Sequence, residues 1–156
     1  MVEGSVQAQG AYISTEQLAD MISTLPAGKL CILNAVVQPD DMDIFRQHAK
    51  ARIPGARVLD LHMFKDLKSP YPFMMPPQDH FLRLIKAMNI RKSQTVVIYE
   101  HGKGWFASRA AFMLKTFGHP NVYILDGNFA KWQRENREIE SDGEQADSDF
   151  MADFDY

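Results

Sequence analysis

The stretch Thr95-Val96-Val97-Ile98-Tyr99-Glu100-His101-Gly102-Lys103-Gly104-Trp105 decides the fold of this 156-residue chain. Its first five residues form a β-branched, mostly apolar run, which is how a strand covered on both faces of a parallel sheet reads. The next five are polar and contain two glycines, so the strand ends there in a loop. From Trp105 the period becomes helical: Phe106, Ala110, Met113, Leu114 and Phe117 recur at three- and four-residue steps, and Gly118 stops the helix. A strand that empties through a loop into a helix is the α/β unit that holds ligands at the carboxyl edge of its sheet.

The rest of the chain repeats this alternation. Ala11-Tyr12-Ile13 reads as a short strand, and Ser14 with Gln17 forms a capping-box pattern that opens a helix carrying Leu18, Met21 and Ile22 on one face. Leu30-Cys31-Ile32-Leu33 is a second strand, ending at Asn34. Asp40, Asp41 and Asp43 place negative charge at the start of a helix that includes Ile44, Phe45 and His48, as the helix dipole favours. Ile53-Pro54-Gly55-Ala56 is a turn that delivers a third strand, Arg57 to Leu61. Residues 62–77 show neither period, and Pro77 suits the first turn of a helix through Phe81, Leu82, Leu84, Ile85 and Met88. The expected architecture is a three-layer α/β/α domain with about five parallel strands, in which Arg57–Leu61 and Thr95–Tyr99 lie at or near the centre.

Composition sets the outer limits. The chain is one domain long, with 46% hydrophobic and 24% charged residues, as in ordinary globular proteins. No apolar run is long enough to suggest a membrane span. Residues 1–10 read as a flexible start with no lysine, arginine or apolar core, so no signal or transit peptide is visible and a cytoplasmic chain is the default expectation. A single cysteine leaves no internal disulfide and no cysteine-based metal site; no cofactor and no metal are expected. Apolar neighbours on both sides of Cys31 should bury its thiol and raise its pKa. His48 has no second ligand at helical spacing and reads as a solvated or packing residue. The basic residues are dispersed, so nucleic-acid binding is unsupported.

Charge is unevenly spread. Residues 1–139 carry a balance of +4, whereas Glu140, Asp142, Glu144, Asp147, Asp149, Asp153 and Asp155 leave residues 140–156 with seven acids and no base. Phe150, Phe154 and Tyr156 are interleaved with those acids. That is the pattern of a short segment that docks into a basic, apolar-lined groove, and equally that of a solubilising terminus disordered on its own.

Three segments carry a family resemblance. Gly118-His119-Pro120-Asn121-Val122-Tyr123-Ile124-Leu125-Asp126-Gly127-Asn128, followed by Trp132, is similar to the closing motif of rhodanese domains. Arg52-Ile53-Pro54-Gly55-Ala56-Arg57-Val58-Leu59-Asp60-Leu61 resembles an upstream motif of the same family. Ser69-Pro70-Tyr71-Pro72-Phe73-Met74-Met75-Pro76 resembles an insertion in the first, cysteine-less half of tandem thiosulfate and 3-mercaptopyruvate sulfurtransferases. The resemblance covers residues 11–139, the expected domain, and leaves 140–156 as a tail. It implies the rhodanese topology, and it also implies that the residue after the central strand should be the cysteine that carries sulfur as a persulfide. Here that residue is Glu100. A carboxylate forms no persulfide, and its charge opposes an anionic donor at the same amides; a phosphatase of this fold needs the same cysteine.

Two functional readings follow, with a weaker third. In the first, the chain is a catalytically silent binding or structural module, a subunit of a larger assembly. In the second, it is the silent half of a split thiosulfate or 3-mercaptopyruvate sulfurtransferase whose cysteine sits on another chain. Both expect a protein partner at the apolar loop 62–77, with Tyr71, Phe73 and Met74 as contacts, and at the tail 140–156, through Phe150, Phe154 and Tyr156. The third is anion binding by His101, Gly102, Lys103, Gly104 and Arg109 at the start of the helix. Glu100 and His101, as neighbours leaving a strand, should point to opposite sides and so not act together as acid and base. The family resemblance also leaves a mitochondrial association open.

Overall fold

A computed structural model describes residues 10–37 and 43–142. It contains ten elements in alternation: β1 (Tyr12–Ile13), α1 (Thr15–Thr24), β2 (Leu30–Val36), α2 (Asp43–Lys50), β3 (Arg57–Asp60), α3 (Gln78–Ala87), β4 (Thr95–Tyr99), α4 (Trp105–Thr116), β5 (Val122–Leu125) and α5 (Asn128–Arg134). All five strands pair in parallel in the order β1-β5-β4-β2-β3. The expected α/β/α sandwich is present.

Sequence pattern explains the layers. Strand residues alternate between two faces, and the core accordingly divides in two. Leu33, Val96 and Ile98 face one cluster with Ala107, Ala110, Met113 and Leu114 of α4 and Phe81 of α3. Ile32, Val97 and Tyr99 face the other, with Leu18 and Met21 of α1 and Phe129 and Trp132 of α5. The capping box at Ser14 forms as its spacing requires: Ser14 Oγ accepts from Gln17 N at 3.0 Å and Gln17 Oε1 accepts from Ser14 N at 2.8 Å. Trp132, buried in its helix, donates its indole N–H to Glu138 O at 2.8 Å and so pins the chain beyond α5.

Two expectations about strands are corrected. The strand Arg57–Leu61 is not central; β3 is an edge strand paired only with β2, and of Arg57–Asp60 only Leu59 is buried. Charged residues at both ends of the strand, Arg57 and Asp60, are what an edge position tolerates. The second strand does not end at Asn34. It continues to Val36 because Asn34, Ala35 and Val36 pair with Val58, Leu59 and Asp60, and the buried Asn34 amide finds a partner in His48, whose Nδ1 lies 3.1 Å from Asn34 Nδ2. His48 is thus a packing residue tied to the sheet.

The connection 62–77 has no regular structure but is closed on itself. Asp66 N donates to Met74 O at 3.0 Å, Asp66 Oδ1 accepts from Lys68 N at 2.9 Å, and Ser69 Oγ accepts from Tyr71 N at 3.2 Å. Phe64 anchors it in the core against Phe81, with ring centres 6.1 Å apart. No helix among the described residues is long and apolar enough to cross a membrane.

Candidate functional site

The chain leaves β2 toward β3 on one side and leaves β4 toward β5 on the other. The carboxyl ends of β2 and β4 therefore form the point where connections diverge, the place where open α/β sheets bind ligands. The loop 100–104 sits there.

Glu100 and His101 point to opposite sides of the sheet. Glu100 is 2% exposed. Its carboxylate turns back into the start of α4: Oε1 accepts from Gly104 N, and Oε2 accepts from Ala107 N at 2.8 Å. A helix start offers unsatisfied N–H groups and positive potential, and here an internal anion takes them. Two glycines make the turn feasible. A Cβ at Gly102 would sit 3.1 Å from Glu100 Oε1, and Gly104 adopts φ +97°, a left-handed conformation that favours glycine. The Glu100 carbonyl also accepts from Phe129 N at 3.2 Å, locking the strand end to α5.

On the other face His101 lies against Phe129, with ring centres 4.3 Å apart, and beside Tyr99 at 6.1 Å. Burial lowers the pKa of His101 and keeps the ring neutral. Burial likewise lowers His48 to about 4, with the positive charge of Arg52 adding to it. Arg52 is held by Glu140 at 3.2 Å and by Asp142. Its own backbone exchanges two hydrogen bonds with that of Glu140, so the first residues of the acidic tail are strapped to the domain. Phe150, Phe154 and Tyr156 lie outside the described residues.

Among the candidates for anion binding, Lys103 is exposed at the loop tip, while Gly104 gives its N–H to Glu100. Arg109 is directed elsewhere: it donates to Phe73 O at 2.5 Å and to Met75 Sδ, so it clamps the 62–77 connection onto α4. Phe73 adopts φ +56°, a conformation rare for an aromatic residue and held here by that clamp. Through Arg109 the structure brings Phe73 and Met74 beside α4.

That juxtaposition exposes residues that the sequence reading placed in the core or did not single out. Trp105 and Phe112 are 76% and 61% exposed. They stand at positions i and i+7 with Arg109 at i+4, one stripe of α4, opposite the buried Ala107, Ala110, Ala111 and Leu114. Phe106, which the helical period assigned to the core, is 37% exposed. Small alanines face the sheet so that α4 can approach it closely, and the large rings are left outward. Tyr71, 69% exposed, Phe73 and Met74 extend the same apolar character onto the loop. A separate cleft of about 320 Å³ lies between the loop and α3, lined by Asp66, Leu67, Lys68, Pro77, Asp79, His80 and Arg83, away from Glu100.

Cys31 is 2% exposed near the start of β2, opposite Val96. Burial raises its pKa, partly offset by Arg57, whose guanidinium donates to the thiol sulfur at 3.2 Å. Among the described residues no three His, Cys, Asp or Glu side chains gather as a metal site.

Comparison with known proteins agrees with the fold. Residues 29–135 match the family model of the rhodanese-like domain. The chain is 32% identical over 122 residues to a probable 3-mercaptopyruvate sulfurtransferase of Schizosaccharomyces pombe, covering 70% of this chain and 41% of that protein. It is 31% identical over 157 residues to the thiosulfate sulfurtransferase of Gallus gallus, covering 97% of this chain and 54% of that protein. The chain thus spans about half the length of the curated relatives it matches. Among solved structures, the 3-mercaptopyruvate sulfotransferase of Escherichia coli superposes with a TM-score of 0.75 at 28% identity, over 85% of this chain and 51% of that one. The sub-stoichiometric sulfur transferase subunit of yeast mitochondrial complex I superposes with a TM-score of 0.66 at 25% identity, over 79% of this chain and 40% of that one.

Proposed function

We propose that this chain, which belongs to the rhodanese-like domain family, is a binding module without sulfur transfer of its own, equivalent to the cysteine-less half of tandem sulfurtransferases. The observation that carries this reading is the Glu100 carboxylate seated on the N–H groups of Gly104 and Ala107. Sulfur transfer on this fold needs a thiolate in that position, attacking a sulfane sulfur and holding it as a persulfide. Glu100 has no electron pair that makes a stable bond to sulfur, and its charge repels an anionic donor. Cys31 does not replace it. Its partner Val96 lies four residues before Glu100, about 13 Å back along the strand, in the core, where the thiolate is disfavoured.

What remains exposed supports binding. Trp105, Phe112, Tyr71, Phe73 and Met74 form an apolar surface on a rigid support, since Arg109 joins its two parts. The structural neighbour described as a subunit of mitochondrial complex I supports a role inside an assembly. A cytoplasmic location remains our default for this chain, with mitochondrial association as the alternative that this neighbour favours.

One observation favours a second reading. Two relatives of the chain are both sulfurtransferases, which suits a silent half working with a cysteine-bearing half. One experiment separates the two: thiosulfate:cyanide and mercaptopyruvate assays on the purified full chain, alone and mixed with a separately produced cysteine-bearing rhodanese domain. The chain alone should be inactive. A rise in the partner domain's activity that is lost in Trp105→Ala would favour the split enzyme; an unchanged rate would favour the structural module, and turnover by the chain alone would refute both.

A further inference from the structure

Helix α4 presents one stripe to the outside. A turn of about 100° per residue puts Trp105, Ser108, Phe112 and Thr116 on one face, with Arg109 on its edge toward the 62–77 connection and Lys115 on the opposite edge. The two exposed rings stand two turns apart, about 10 Å along the axis. Between them Ser108 is small and exposed, and its hydroxyl is already used, donating to Gly104 O at 2.8 Å. Large, small and large side chains in sequence along a helix surface form a notch into which a side chain of a second helix packs. The connection supplies a wall beside it: Arg109 holds the Phe73 carbonyl, and Tyr71, Phe73 and Met74 are exposed.

Charge decides what suits this face. Residues 101–118 contain Lys103, Arg109 and Lys115 and no acid. The connection adds Lys65 and Lys68 against a single acid, Asp66, whose N–H donates to Met74 O and whose Oδ1 accepts from Lys68 N. Asp79, at the start of α3, is paired with Arg83 at 3.0 Å. Arg109 is bound by the uncharged Phe73 O and Met75 Sδ, so its charge is not cancelled. Basic side chains therefore outnumber acids around the rings, although Asp66 lies on the loop side. A second copy of the chain fits poorly. Packing two α4 stripes about a twofold axis near Ser108 sets Trp105 against Phe112, but it also brings Lys103 and Lys115 of one copy toward those of the other. A helix that carries carboxylates turns the same lysines into attraction.

We propose that this face takes an acidic amphipathic helix of another protein, with large apolar side chains over Trp105, Phe112 and Phe73 and carboxylates along the edges that meet Lys103 and Lys115. This rests on the reading of the chain as a binding module and names the chemistry of its partner. Apolar contact with the rings supplies the affinity, and the lysines set the orientation and reject basic helices.

Two fluorescein-labelled helical peptides with the same apolar stripe, one with glutamate and one with lysine at the flanking positions, serve as probes, and their anisotropy is titrated with the full chain. The glutamate peptide should bind saturably, at least about tenfold more tightly than the lysine peptide, and more weakly as salt is raised. Phe112→Ala should weaken it about tenfold, and Lys103→Glu/Lys115→Glu should invert the preference between the peptides. Both variants change exposed side chains, and circular dichroism checks that they fold. Equal binding of the two peptides, no saturable binding below about 1 mM, or binding unchanged by Phe112→Ala would overturn the proposal. So would binding to phosphatidylcholine/phosphatidylserine vesicles in place of the peptide, which would assign the face to a lipid surface, or a dimer in sedimentation that Phe112→Ala dissolves, which would assign it to a second copy. Failure here with no turnover in the sulfur-transfer assays leaves the binding-module reading standing, whereas turnover by the chain alone removes that reading whatever the peptides do.

Discussion

The carboxylate of Glu100 and the backbone N–H of Ala107 are hydrogen-bonded at 2.8 Å across the loop, with the Gly104 N–H on the other carboxylate oxygen. The helix start that would otherwise be open to an external anion is satisfied from inside the fold. A buried charge is tolerated there because it meets two N–H donors and the positive end of α4.

Removing that anion should cost stability. Glu100→Ala leaves two N–H groups without their acceptor and is expected to lower unfolding free energy by about 2–4 kcal/mol. Glu100→Gln keeps an acceptor oxygen and should cost less. Urea unfolding of the three proteins checks the order.

The Arg109 clamp makes a prediction about local rather than global stability. Arg109→Met loses the bonds to Phe73 O and Met75 Sδ but keeps an apolar stem, so unfolding free energy should fall by only about 1 kcal/mol. Hydrogen exchange should accelerate in residues 66–76 and remain unchanged in β4 and β5. Uniform acceleration across the sheet would show that the loop is not a separate unit.

The cysteine should be inert until the protein opens. Because burial raises the Cys31 pKa and the side chain lies in the core, alkylation by iodoacetamide in native buffer should be slow. Its rate should rise in step with urea unfolding. Fast labelling in the absence of denaturant would mean that the β2–β4 ladder opens on its own.

Stability should fall on acidification from neutrality. His48 is held neutral with its pKa lowered to about 4, first by burial. The unfolded chain therefore takes up a proton near pH 6.5 that the folded chain refuses until about pH 4. Its contribution is intact above pH 6.5 and is lost between 6.5 and 4. His101 and His119, also lowered by burial, act in the same direction. The carboxylates of Glu140 and Asp142, lowered by a backbone hydrogen bond from Gly55 and by Arg52 respectively, extend the loss below that window. Melting temperature measured from pH 7.5 to 4.5 should decline, and less steeply in His48→Gln.

Much of the fold was legible from short-range pattern. The β-branched run before Glu100, the capping box at Ser14 and Gln17 and the turn at Pro54-Gly55 each specify their own element without reference to distant residues. The edge position of β3 was not legible, because sheet order is set by which helices cover which face. Nor was the outward turn of Trp105 and Phe112. Aromatic residues at helical spacing read as core, and only the alanines at 107, 110 and 111 hint that a different face of α4 meets the sheet. Glu100 was singled out by its position, but its pairing with the Gly104 and Ala107 N–H groups depends on a loop path that composition does not encode. The guanidinium of Arg57 on Cys31 joins residues 26 apart and had no local signal.

The central claim is that no sulfur is carried on this chain, and its most direct test is intact-mass spectrometry of the full chain after incubation with thiosulfate or mercaptopyruvate, beside Cys31→Ser. The account predicts an unchanged mass for both proteins. A gain of one sulfur atom in the natural chain that is absent in Cys31→Ser would contradict it, because the only thiol would then be reachable and able to hold a persulfide.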